Sequence, residues 1–527
     1  MKWGILSIAG ANRDQIKASI LTRLVDVIAG ESPSHRNKAR LRKNQHLNYF
    51  AEYFSEGEGT RAQTLIYEDN YYSHSFVSDY SSYYSLSHIA LPKECLRIHF
   101  FKTKWTKQEF LRLVTSPKAH KRINAAYLGH LVIKPIGSSL IGASLIKPYN
   151  ENQSRKYPST TEYCCNLFGV PLTLNTLVYQ QQDGAVSACA TTAIWMALHR
   201  TYKEFRKNLP TPNEITVSAG VGSRMGRLFP NSGLDFKQII KAIHSTGLVS
   251  ELRNEYSVIQ PVLSDSSIDY GKFISPLYVK RFTYAYNSSG LPVLIAYRFR
   301  DEMHLVTATG FRFADDRPEV RAVDVSGNDC YTTADFLARI YVHDDQIGPF
   351  TRLGFTDKNP NALTTFQERR LVYCTGLIVP LSPIIRVNFD DVYKCVTKTH
   401  NIFFSNRRIG YSPFIWDIRL VKSNDYKQQI HKLSCPAKEK ARIHFDSMPK
   451  YIWVASLVLK TAATSSMLDL LFDSSSHGSR LEPMSTLWHD SNIKEWMKWV
   501  LNTLKGIRGQ PLDQWDLLEC FKNHLNA

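Results

Sequence analysis

Residues 179–198, YQQQDGAVSACATTAIWMAL, set three consecutive glutamines (Gln180, Gln181, Gln182) ahead of Cys189, and Cys189 ahead of an apolar stripe. Ala190, Ala193, Ile194, Ala197, Leu198, Tyr202 and Phe205 recur on one helical face, so the pattern predicts a helix opening at Cys189. The thiol then sits in the first turn, where unpaired N–H groups and the helix dipole favour a thiolate. An upstream side-chain amide is the group that could hold an oxyanion. A lone cysteine at a helix start is more commonly a small buried apolar residue, so a chemical role requires a base elsewhere.

Working outward, residues 290–313, GLPVLIAYRFRDEMHLVTATGFRF, read as two strands joined by a polar hairpin, with His304 opening the second. Alternation puts His304, Val306 and Ala308 on one face and Leu305, Thr307 and Thr309 on the other. Further on, YTTADFLARIYVHDDQIGPF (331–350) predicts a strand ending on His343, Asp344 and Asp345 before a Gly-Pro turn. A carboxylate there could orient an imidazole and fix its tautomer, although an Asx-type turn has the same composition. Asp324, in VRAVDVSGND, competes for the same role.

Gln, Cys, His at a strand start and Asp at a strand end follow in the order seen in papain-like cysteine peptidases. The chain resembles most the bacterial branch containing the double-glycine leader peptidases of bacteriocin exporters. In that branch a Gln precedes the Cys helix, and a Pro-Val strand, an H-x-V-x-x-x-G-[YF] strand and a strand ending in Asp follow it. Here these read QQQDGAVSACATTAIWMAL, GLPVLIAY, HLVTATGF and YVHDD. The likeness covers roughly residues 170–380. It implies Cys189 as nucleophile, His304 as general base and acid, Asp344 as the orienting carboxylate and Gln181 as oxyanion donor. Gln182 remains an alternative donor, and Asp345 and Asp324 remain alternative orienting groups. The implied fold class is α+β: a papain-like central domain, its Cys-bearing helix packed on an antiparallel sheet carrying His and Asp, with flanking α+β domains. The implied function is a thiol-dependent acyl hydrolase, a peptidase cleaving a peptide or isopeptide bond through a thioester. A regulated bacterial effector with a defence-type role is the expected setting.

The flanks set the expected domain limits. Residues 1–150 combine a helical stripe (Ile16, Ile20, Leu21, Leu24, Ile28) ending at Gly30 with strand-like runs such as LRIHFF. The polar stretch 147–163 reads as a linker, giving a central domain over 151–385 and a C-terminal mixed domain over 386–527 with terminal amphipathic helices. Ser232 is the expected N-cap of the SGLDFKQIIKAIHSTGL helix.

The net charge of +18 over 527 residues suits an anionic partner, and SHRNKARLRKN concentrates Arg36, Lys38, Arg40, Arg42 and Lys43. A non-catalytic papain-like scaffold that binds nucleic acid or another anion is therefore the rival expectation. Nine scattered cysteines without a CxxC pair argue against a disulfide framework and for a reducing cytoplasm. MKWGILSIAGANR reads as a first strand rather than a signal peptide. The longest apolar runs, LVYCTGLIVPL and YIWVASLVL, are too short for a membrane span. AGVGSRMG lacks phosphate-loop spacing, and Asp69, His74, Asp79 and His88 lack metal spacing, so neither cofactor nor metal is expected.

Overall fold

The computed structural model describes residues 2–30, 35–88, 90–137, 139–186, 188–220, 233–254, 273–300, 302–314, 330–356, 359, 361–365, 370–404, 414–433, 435–459, 466–477, 481–504 and 512–526. Helix and sheet are mixed throughout, an α+β arrangement. The chain packs as two compact units: Met1–Ser275 with Gly290–Arg312 and Arg339–Pro380, and Pro276–Ser289 with Phe313–Ala338 and Leu381–Ala527.

The first unit holds two principal sheets. In the five-stranded one, Trp3–Ser7, Thr64–Tyr71, Cys95–Phe101, Tyr127–Ile133 and Leu145–Ile146 pair antiparallel in chain order. In the other, the strands Val293–Phe299, Glu302–Phe313, Leu337–Asp344, Gly348–Phe355, Leu363–Thr365 and Leu371–Leu381 follow one another as neighbours. Val293–Phe299 also pairs with Leu371–Leu381, which closes that path on itself, and Val249–Asn254 extends it. Closure leaves few free edges and buries both faces, which is why Leu305 through Gly310 are all buried despite their alternating polarity.

The Cys189 helix, Cys189–Phe205, is buried along most of its length. Trp195, Ile194 and Leu198 join one apolar core with Ile20, Leu24 and Phe50 from the N-terminal helices and with Phe100 and Leu128 from the five-stranded sheet. Fully burying side chains of this size stabilises a fold by about 1.5–3 kcal/mol each, so the N-terminal elements and the Cys189 helix stabilise one another. The polar stretch 147–163 is likewise part of this unit rather than a tether. Arg155–Lys156 pairs with Phe311–Arg312, and Tyr157 is buried. Gly310 is required at that crossing, because a Cβ there would collide with the Lys156 carbonyl.

The predicted N-terminal helix forms as Arg13–Ala29, capped by Asn12 and stopped at Gly30, whose φ of 76° is a glycine conformation. Phe236–His244 is capped not by Ser232, which lies outside the described residues, but by Asp235 in a capping box with Gln238. Both residues satisfy the cap chemistry, and the pairing with Gln238 three positions on favours Asp235.

The second unit is built on an antiparallel sheet of Phe414–Lys422, Tyr451–Leu459, Ser466–Asp473 and Ser485–Trp488. Trp416 and Trp453 are its largest fully buried side chains. Its helices include Phe389–Phe403 and the expected amphipathic pair Ser491–Leu504 and Leu512–Asn526.

Candidate active site

Cys189 is the first residue of its helix, half-buried, with Ala188 as an extended N-cap and no side chain capping that end. The loop before it is braced by Asp183, whose Oδ1 accepts from the N–H groups of Ala185 (3.0 Å) and Val186 (2.6 Å). The glutamines run beside the 139–144 segment. The Gln181 N–H donates to the Ile141 carbonyl, the Ile141 N–H donates to Gln181 Oε1 at 3.1 Å, and the Ser139 hydroxyl donates to the Gln182 carbonyl. Because a main-chain N–H occupies Oε1, the orientation of the Gln181 amide is determined and its NH2 is the donating end. Among the described residues, no hydrogen bond joins Gln181 or Gln182 to Cys189.

His304 lies on Glu302–Phe313, directly opposite Tyr297 in the hairpin register, with the two rings edge to face at 5.3 Å. Its Nε2 is 3.0 Å from Asp344 Oδ1 and 3.5 Å from Asp345 Oδ1. An ionised carboxylate only accepts, so Nε2 carries the proton. Nδ1 makes no hydrogen bond, and the Cys189 thiol lies near enough to the ring to help raise it. Cys189, His304 and Asp344 are thus brought together across the chain.

Asp344 is the carboxylate in direct contact. It also accepts from the Tyr297 hydroxyl at Oδ2 (3.2 Å) and from the Gln346 N–H at Oδ1 (3.0 Å). Burial opposes its charge, but His304 and these hydrogen bonds outweigh burial and hold its carboxyl below the usual carboxylate range. For His304 the balance is similar. Burial disfavours the imidazolium, yet Asp344 and Asp345 overcome it and push the ring well above its ordinary value. Asp345 is buried with neither carboxylate oxygen in a hydrogen bond, and burial pushes it up to about 7. Asp324 lies outside the described residues. His343, between the bulge positions, is structural: Nε2 donates to the Leu177 carbonyl, Nδ1 accepts from the Phe350 N–H, and burial lowers it to about 4.

The strand end is held from a distance. Tyr179 O–H donates to the Asp344 carbonyl at 3.2 Å, and His46 Nε2 meets the Asp345 carbonyl at 3.1 Å. From the same helix, Gln45–Tyr53, Tyr49 donates to the Pro349 carbonyl and its ring fills the space a Cβ on Gly348 would need. Sequence reading missed Tyr297, Tyr179, His46 and Asp183. Only Tyr297 carried a signal: a tight hairpin pairing Phe299 with Glu302 places residue 297 opposite 304.

Electrostatically, the arrangement is a thiol at a helix start beside an imidazole anchored to a buried carboxylate, a geometry suited to nucleophilic acyl transfer. Among the described residues, His304, Asp344 and Asp345 form a group whose ligand atoms converge within 4.8 Å of one another, close enough for a metal ion. No described helix is long and apolar enough to cross a membrane. No protein-family model matches the chain, and no curated protein shows significant similarity to it.

Proposed function

We propose that this chain is a cysteine hydrolase of papain-like fold, cleaving a peptide or isopeptide bond through a thioester. The observation that carries the reading is the convergence of Cys189, His304 and Asp344 from three separated segments, with Tyr297 fixing the second carboxylate oxygen. His343 shows the contrast: it is satisfied by main-chain groups and, among the described residues, has no thiol beside it.

The steps follow from the residues. Cys189 gives its proton to His304 Nδ1, and the thiolate attacks the acyl carbon. The tetrahedral oxyanion is held by the Cys189 N–H and a glutamine amide, with Gln181 the favoured donor because its NH2 is the free end of an otherwise fixed group. His304 then protonates the leaving amine, and Asp344 keeps the ring oriented and stabilises the imidazolium. Deprotonated by the same imidazole, water hydrolyses the thioester. None of the nine cysteines is in a disulfide, which suits work in a reducing cytoplasm. The resemblance extends the proposal to a regulated bacterial effector acting on a protein substrate.

Alkylation by iodoacetamide near neutral pH, mapped by mass spectrometry, tests the reading. Cys189 should react faster than the exposed Cys164, and the excess should vanish in His304→Ala. Equal reactivity of Cys189 and Cys164 in the wild-type chain would overturn it.

A further inference from the structure

Asp345 adds to the field on His304, but no acyl-transfer step passes through its carboxylate. Its carboxylate is fully buried, neither oxygen accepts a hydrogen bond, and Oδ1 approaches His304 Nε2 at 3.5 Å beside Asp344. Leaving a carboxylate buried without hydrogen bonds costs several kcal/mol, so the fold retains an acceptor pair that no hydrolytic step calls on.

We infer that His304 Nε2, Asp344 and Asp345 form a binding site for a divalent cation of the zinc class, and that occupancy switches the thiol chemistry off. The distances support this. Tetrahedral zinc with bonds of about 2.0–2.1 Å holds its ligand atoms about 3.3–3.4 Å apart. The Nε2 contacts of 3.0 and 3.5 Å bracket that value, and all three ligand atoms lie within 4.8 Å of one another. Asp345 is the ligand with freedom to close the third edge, since no hydrogen bond restrains its carboxylate. Asp344 is held as a metal-bound carboxylate usually is, by donors from outside the ligand set: the Tyr297 hydroxyl and the Gln346 N–H. His46 fixes the Asp345 main chain in the same way. One nitrogen and two oxygens of this hardness suit zinc better than thiophilic copper(I), and water would complete the tetrahedron.

When the cation takes Nε2, the neutral imidazole ligates as its other tautomer, its single proton passing from Nε2 to Nδ1, so His304 has no open nitrogen to accept the Cys189 proton. This consequence rests on the hydrolase reading, whereas the metal site itself does not.

Equilibrium dialysis of the full chain against buffered free Zn2+ separates the two. Wild type should take up a zinc that Cys189→Ala retains within about threefold and that Asp345→Asn binds at least tenfold more weakly, a loss of the size that removing a supporting metal-site group produces. Equal binding by wild type and Asp345→Asn, or loss of the zinc in Cys189→Ala, would overturn the site. Cobalt(II) gives a second readout that needs no variant: the wild-type chain should show tetrahedral ligand-field absorption without a thiolate charge-transfer band. Six-coordinate absorption or a thiolate band would equally overturn it. If zinc binds as expected yet leaves Cys189 alkylation unchanged, the site stands and the coupling of His304 to the thiol fails.

Discussion

Asp344→Asn tests the site most directly, because its effect can be worked from the contacts. Three donors converge on this acceptor-only group: His304 Nε2 at 3.0 Å, Gln346 N–H at 3.0 Å and Tyr297 O–H at 3.2 Å. Asparagine has the same shape but offers one oxygen: kept on His304 and the Gln346 N–H, it leaves its NH2 facing the Tyr297 hydroxyl, which must turn from donor to acceptor. Lost as well is the charge opposite the imidazolium. At 3.0 Å and an effective dielectric of ~20 that attraction is about 5.5 kcal/mol before solvation is counted. A net loss of about 2–4 kcal/mol in imidazolium stability corresponds to a roughly 30- to 1000-fold fall in the thiolate–imidazolium population. The assay is the second-order rate of Cys189 alkylation at pH 7, with Cys164 as internal reference and thermal unfolding in parallel. A Cys189 rate within threefold of wild type, in a variant that melts normally, would refute the argument that Asp344 sustains the pair.

The remaining predictions address the supporting groups. Gln181→Ala should lower turnover of a peptide substrate by about 10²–10³, the usual cost of one oxyanion donor, while Gln182→Ala changes it little; the reverse order in steady-state kinetics would move the donor to Gln182. Asp183→Ala removes the acceptor of two loop N–H groups and the carboxylate 4.0 Å from buried Lys134, so chemical denaturation should show a loss of about 3 kcal/mol. His99 is fully buried, and burial lowers it to about 4 against Glu68. The folded chain refuses a proton that the unfolded chain accepts below pH 6.5. Its contribution is therefore present above that pH and lost as pH falls towards 4, by about 3 kcal/mol in total. His99→Gln should flatten that part of the stability profile, and an unchanged slope between pH 6.5 and 4 would count against it.

Much of the local structure was legible because it depends on near neighbours. The Cys189 helix, the 290–313 hairpin and the strand ending at Asp344 follow from apolar periodicity and turn residues, which act within a few positions. Asn12 and Gly30 delimit a helix for the same reason. The stretch 147–163 misled because polar, turn-rich composition reports solvation and not pairing; Arg155–Lys156 pairs through main-chain atoms that any sequence supplies.

Local pattern is enough to mark the side chains that could do the chemistry: a cysteine at a helix start, a histidine opening a strand and adjacent aspartates closing another. It also bounds the elements that carry them. Long-range packing sets which aspartate touches the imidazole, leaves Asp345 buried without a hydrogen bond, and brings Tyr297, Tyr179 and His46 to the strand end. The reason is range. Periodicity and capping are encoded over one or two turns, whereas His46 meets Asp345 from 299 positions away, through sheet closure and a shared core that no local pattern records.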